Sequence, residues 1–185
     1  MGELGPGASA ALGKLTAQLS AVRPQQRVWV AKSIWQIDAA SPAVFPALIE
    51  VLRDTKTIRE GQALRNREVD GKIVLARGPF TEPVSCVAAE VLREMGPAAA
   101  PAVQALIEVA NSGNSDAALS AVRALHAIGP AAGAAVPALN RLTRSENYFV
   151  AQAAREAVLA IERKFPPIDT GTIMVPGGTI IATQD

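Results

Sequence analysis

A stretch that occurs twice constrains the fold of this chain more than any other feature of its sequence. Residues 94–106 read Glu-Met-Gly-Pro-Ala-Ala-Ala-Pro-Ala-Val-Gln-Ala-Leu, and residues 127–139 repeat the pattern as Ala-Ile-Gly-Pro-Ala-Ala-Gly-Ala-Ala-Val-Pro-Ala-Leu. The glycines Gly96 and Gly129 are 33 residues apart. A fixed period of roughly 20–50 residues is typical of proteins built from stacked structural repeats. The sequence therefore predicts a repeat architecture.

Each copy has the composition of a helix end, a tight turn and a new helix. Glycine can take the left-handed conformation that closes a helix, and the proline after it cannot continue one. The alanine, valine and leucine residues that follow have helical spacing and include good helix formers. We therefore expect pairs of short helices joined by the Gly-Pro turn.

The same register extends over most of the chain. An earlier copy begins at Glu3, and a weaker one has Asp38-Ala39 where the others have Gly-Pro. Between the second and third units the chain is 25 residues longer than the period requires. The last apolar residues of the first helices are expected at Leu4, Ile37, Met95, Ile128 and Ile161.

The turn, an apolar residue followed by Gly-Pro-Ala-Ala, and the Ala-Val-x-Ala-Leu opening of the next helix resemble HEAT repeats. The nearest match is the compact, alanine-rich type of phycobilisome-lyase proteins (EZ-HEAT-like), and it covers residues 3–54 and 82–164. The resemblance implies an all-α, armadillo-type fold, an α-solenoid of about four to five helix pairs. We expect one solenoid domain over residues 1–164 and a separate tail over residues 165–185. The motif consists of packing and turn residues, so it predicts the fold and not the function.

Residues 55–80 depart from the repeat. This segment contains six basic and three acidic residues. The Asp70-Gly71 pair with β-branched residues after it favours a β-hairpin, whose second strand we expect to stop at Arg77-Gly78-Pro79. Insertions in solenoids lie on one face, which is often the binding face. The alternative is a solvated loop without a binding role.

The sequence at each end of the chain leads to a structural prediction. Only a stub precedes Leu4, where the other units have a full helix, so we expect an upstream part to be missing. The alternative is a half-repeat that caps the solenoid.

At the other end of the chain, two β-prone runs flank Pro176-Gly177-Gly178 and predict a hairpin. We expect this tail to cover the last helix. The alternatives are an arm that adds a strand to a partner's sheet and a disordered segment.

Composition narrows the class of protein. Of the 185 residues, 49% are hydrophobic and 19% are charged, with a formal net charge of +1. With this small net charge, we expect no strong overall electrostatic attraction to nucleic acid or to an anionic membrane. The N-terminal residues lack the basic start and apolar stretch of a secretory signal peptide, and no apolar run approaches the ~18–20 residues of a membrane span. With one cysteine, the expected location is the cytoplasm.

Residues for catalysis are scarce. The only histidine, His126, is at the repeat position of Arg93, which predicts an exposed helix face. This excludes a resemblance to deoxyhypusine hydroxylase, a HEAT-type enzyme whose di-iron site is built from several His-Glu pairs. The only cysteine, Cys86, is on an alanine-rich helix and is expected in the core. We therefore expect no enzyme activity, no metal site and no cofactor.

Three functions remain open. The first is a protein-binding scaffold, since the resemblance implies that second helices line a concave groove, and the charges there are mixed in sign. The second is nucleic-acid binding of the HEAT-like kind, which would need a basic groove with stacking aromatics. The third, implied by the resemblance alone, is a lyase-like chaperone for cofactor attachment. We favour the first, in a monomer or a part of a longer chain, with partner-binding residues Glu50, Arg53, Arg65, Arg67, Glu108, Arg141 and Arg144.

Overall fold

A computed structural model describes residues 6–54, 57–69, 72–162, 172–175 and 178–181, with side chains over 11–54, 57 and 82–162. The described chain is mostly helical, which confirms the predicted all-α class. Its helices are α1 Pro6–Gln18, α2 Pro24–Ile37, α3 Val44–Arg53, α4 Val84–Met95, α5 Val103–Ala110, α6 Ser115–Ile128, α7 Val136–Leu142 and α8 Tyr148–Ile161.

Two pairs of antiparallel strands accompany the helices. The long pair is β1 Ile58–Val69 with β2 Lys72–Pro83, and the short pair is β3 Thr172–Val175 with β4 Gly178–Ile181. The predicted end of the second strand at residues 77–79 is wrong, because the backbone pairing continues to Pro83. The central turn residues of both expected hairpins lie outside the described residues. That the tail covers the last helix stays a prediction.

The long strand pair leads directly into α4. Helix α4 begins at Val84. Pro83 precedes the first turn in an extended conformation. The Val84 amide donates a 3.0 Å hydrogen bond to the carbonyl of Thr57, which joins the two ends of the strand pair.

The helices pack in two rows. Helices α2, α4, α6 and α8 form the first-helix row, in which each helix contacts the next. The second-helix row consists of α3, α5 and α7; α3 packs on α5, and α5 packs on the segment that precedes α7. Contacts between α2 and α3, α5 and α6, and α7 and α8 join the two rows.

The core lies between the rows and follows the 33-residue register. Leu48, Leu106 and Leu139 are fully buried at equivalent positions of the second-helix row, as the sequence predicts. In the first-helix row, Leu92 and Leu125 are fully buried one period apart. The repeat therefore locates the central core residues of the two regular units correctly.

The second unit is less regular. The apolar spacing of α2 predicts a buried Val30, but in the structure Val28 is fully buried and Val30 is only half-buried. The spacing of α3 predicts a buried Phe45, but Val44 and Val51 are buried there and Phe45 is only partly buried. Because several apolar residues crowd α3, the choice between adjacent faces depends on the neighbouring helices and not on the spacing alone.

The repeated turn differs from the expected left-handed helix end. Gly96 has φ 57° and ψ −133°, and Gly129 has φ 67° and ψ −138°. Positive φ with extended ψ is a conformation that residues with a Cβ avoid. The turn therefore requires glycine more strictly than a left-handed cap would.

A 3-10 segment begins at each of these glycines, over Gly96–Ala102 and Gly129–Ala135, and the second segment has a kink at Ala132. A 3-10 helix has three residues per turn, so residues three apart lie on one face. Ala99 and Ala102 in the first copy, like their equivalents in the second, are fully buried. The alanine spacing thus suits the 3-10 form, and the second α-helices begin only at Val103 and Val136.

The run Ser115–Leu142 is the one described helical stretch long and apolar enough to cross a membrane by length and composition. This differs from the expectation that no such run exists. It arises because α6, a 3-10 helix and α7 follow one another without a gap, and 44% of its most apolar part is buried inside the protein. A core helix meets the same criterion, so the cytoplasmic location stays a prediction.

We predict that Gly129→Ala lowers the free energy of unfolding by about 1–3 kcal/mol, because alanine would be strained at positive φ. The measurement is equilibrium urea unfolding. Gly133→Ala is the matched control: Gly133 lies in the following 3-10 helix, and an added Cβ would meet no atom within 4 Å. Its effect should stay within about 0.5 kcal/mol. Equal losses for both variants would contradict the assigned turn.

Candidate functional site

Two of the expected partner-binding residues meet in the structure. Arg53, at the end of α3, donates from Nε to Glu108 Oε2 at 2.9 Å and from Nη2 to Glu108 Oε1 at 3.2 Å. Glu108 is on α5, so this two-point ion pair joins neighbouring members of the second-helix row. The planar guanidinium matches the carboxylate geometrically. Both side chains remain about half exposed, at 57% and 45%.

The pair favours the charged form of both groups. The hydrogen bond from Arg53, together with its positive charge, lowers the pKa of Glu108, and burial opposes this only in part. The same contact raises the pKa of Arg53. The contact thus presents a negative charge on α5 beside a positive charge at the end of α3.

We predict that the pair stabilises the fold at neutral pH and not in acid. The folded pKa of Glu108 lies below its ordinary value of 4.5, so its contribution is present above that value and is lost as the pH falls through the folded pKa. The measurement is the difference in unfolding free energy between the wild type and Glu108→Gln across this range. A difference that stays constant into acid would contradict the pairing.

The other expected residues are placed separately. Glu50 on α3 forms an ion pair with Arg27 on α2. Arg141, on the last turn of α7, and Arg144, in the turn that follows it, are exposed and form no ion pair within the described part of the chain. Arg65 and Arg67 lie on β1, and their side chains lie outside the described residues.

Arg27 is a further charged residue of this region that the sequence pattern does not indicate. Its side chain is only 13% exposed, and it contacts both Glu50 and the carbonyl of Val22, the latter at 3.3 Å. Arg27 therefore holds α2 against α3 and against the loop before α2. A charged residue on a short amphipathic helix gives no sign of such burial until the neighbouring helix is in place.

Cys86 is in the core, as expected, with 5% of its surface exposed. Burial raises the pKa of its thiol to about 11, and the nearby carboxylates of Glu82 and Asp116 act in the same direction; a hydrogen bond with Ser120 opposes them. The thiol is therefore protonated at neutral pH, and a thiol is a poor nucleophile compared with a thiolate. Within the described ranges, no cluster of three or more His, Cys, Asp or Glu residues could hold a metal ion.

We predict that Cys86 reacts with iodoacetamide far more slowly in the folded chain than in denaturant near neutral pH, because the folded thiol is both buried and protonated. Mass spectrometry measures the extent of labelling, and the chain has no second cysteine to confuse it. Cys86→Ser provides the unlabelled control. Equal rates in the folded and unfolded chain would show that the thiol is accessible and ionised.

A second polar surface lies across α4, α6 and α8 of the first-helix row. It is a cleft of about 350 Å³, lined by Arg93, Arg123, His126, Phe149, Gln152 and Glu156 together with two alanines. His126 is exposed on its helix, as its repeat position predicts. We refer to this feature as the first-row cleft.

Exposed aromatic residues border the first-row cleft. Phe149 is 66% exposed and Tyr148 is 68% exposed. Their rings meet edge to face, with 5.7 Å between centroids. Arg93 and His126 occupy the same position of the repeat. This equivalence predicts that both are exposed, but it does not predict a cleft between their helices.

The chain matches no protein-family model and no curated protein sequence. The HEAT resemblance therefore depends on the turn and packing residues of this chain alone. Any functional assignment has to come from the surfaces described above.

Proposed function

We propose that this chain is a non-catalytic protein-binding module with the α-solenoid arrangement of HEAT repeats. Support for the arrangement comes from contacts between successive first helices and from core leucines that recur with the 33-residue register. In this interpretation β1 and β2 are an insertion between the second and third units, and the partner binds across the second-helix row and this insertion.

The observation that carries the proposal is the exposed Arg53–Glu108 pair, which presents opposite charges on two neighbouring helices. Exposed Arg141 and Arg144 extend the same row. A surface with alternating signs suits the complementary charges of another protein. Binding to a phosphate backbone would instead require several unpaired cationic side chains, and here Arg53 is already paired with Glu108. This favours protein over nucleic acid as the partner.

A charge swap separates binding from stability. Arg53→Glu alone removes the ion pair, whereas Arg53→Glu with Glu108→Arg restores a pair of reversed orientation. We predict that the double variant recovers the wild-type melting temperature and still binds its protein partner at least about tenfold more weakly, since reversed charges oppose the partner's own. The partner is first isolated with the wild-type chain, and affinities are then measured with purified components.

Reversal of Arg141 and Arg144 to glutamate should weaken the same complex. Arg23→Glu is the matched control, because Arg23 is also exposed but lies before α2, outside the proposed surface. If the charge swap and the Arg141/Arg144 reversal bind the partner as tightly as the wild type, the second-helix row is not the binding surface. If the captured molecule is nucleic acid, the proposal is wrong in its class of partner.

A further inference from the structure

The first-row cleft contains two polar side chains that the fold does not use. Arg123 and His126 are three residues apart on α6, and residues at this spacing share one face of a helix. Both are exposed, and neither makes a hydrogen bond or ion pair within the described part of the chain. These two groups can therefore donate hydrogen bonds to a ligand without breaking an internal contact.

The other polar groups of the cleft are already paired. Arg93 donates from Nε to Glu90 at 3.0 Å. Gln152 donates to Glu156 at 2.9 Å. Each of these pairs lies within one helix, α4 or α8. Arg123 and His126 on α6, between them, are therefore the side chains of the lining that remain available as donors to a ligand.

The unpaired donors of the cleft favour a single carboxylate as the ligand. The lining contains two arginines and one glutamate, and Glu90 neutralises Arg93, so the remaining charges of Arg123 and Glu156 balance. Glu156 accepts a hydrogen bond from Gln152, whereas the Arg123 side chain has no partner among the described residues. An arginine can bind a carboxylate through two hydrogen bonds. A polyphosphate or nucleic acid would meet the carboxylates of Glu156 and Glu90. The balance favours an acidic side chain over a polyanion.

The ligand also needs an apolar part. Phe149 contributes an exposed ring to the cleft, and the exposed ring of Tyr148 lies edge to face with it. Aromatic residues and arginine are enriched at protein interfaces and at their most strongly binding positions. The cleft volume is at the lower end of the roughly 300–1,000 Å³ that is usual for ligand pockets. It has room for an acidic side chain with an apolar neighbour.

We propose that the first-row cleft binds a short segment of a partner protein in which a glutamate or aspartate stands next to an apolar residue. Arg123 pairs with the carboxylate, His126 donates a further hydrogen bond, and Phe149 packs on the apolar neighbour. This site is on the first-helix row and is independent of the surface proposed above. Failure of either proposal therefore leaves the other unaffected.

The single histidine provides a direct test by nuclear magnetic resonance. The ring signals of His126 are followed while an acetylated Leu-Glu-Leu peptide is added at millimolar concentration. The comparison ligands are Leu-Gln-Leu, which lacks the charge, and inorganic phosphate, which lacks the apolar part. We expect saturable shifts with the glutamate peptide and at least about tenfold weaker binding of the glutamine peptide, as for the loss of a charge-assisted hydrogen bond.

Variants assign the contacts. Arg123→Gln should weaken binding of the glutamate peptide about tenfold, and Phe149→Ala should weaken it without changing the preference for glutamate over glutamine. Arg23→Gln removes the same charge elsewhere and should bind like the wild type, with thermal unfolding as the check on folding. Equal shifts with both peptides, no saturable shift, or unchanged binding by Arg123→Gln would overturn the proposal. Tighter binding of phosphate than of the peptide would also overturn it.

Discussion

Close contact between successive first helices is the constraint on which the rest of the structure depends. Ala88, Ala121 and Ala154 occupy the same register position on α4, α6 and α8, and all three are fully buried. Helix axes usually lie 8–10 Å apart, and the side chains at the contact determine the distance. A methyl group at each of these positions permits an approach that leucine would prevent. The low aromatic content of 4% follows from the same requirement.

This packing divides the side chains of each helix between an interior that follows the repeat register and an exposed exterior. Because the inner positions are occupied mainly by alanine, valine and leucine, most charged groups lie on the outer faces of the two rows, with the largely buried Arg27 as an exception. The second-helix row joins its members through Arg53 and Glu108. The first-helix row leaves Arg123 and His126 without internal partners. Two surfaces of different chemistry thus result from one packing rule.

The repeat made the core predictable in the regular units and left other features out of reach. Leu106 and Leu139 could be placed from the sequence because burial recurs with the period. The extended ψ of Gly96 could not, since a glycine before proline fits several turn conformations. The Arg53–Glu108 contact could not be predicted either, because it joins residues 55 positions apart and depends on how α3 lies against α5. The first-row cleft likewise requires three helices side by side.

The charges at equivalent exposed positions of the repeat bear on which kind of partner the surface would suit. Glu90, Arg123 and Glu156 are one period apart and all exposed, yet their charges alternate in sign. A chain with a regular charge, such as a nucleic acid, would be matched by the same sign at each repeat. Alternation instead gives each groove between neighbouring helices its own chemistry, which suits the irregular surface of a protein. The first-row cleft follows this logic, since Arg123 stands where the neighbouring repeats have Glu90 and Glu156.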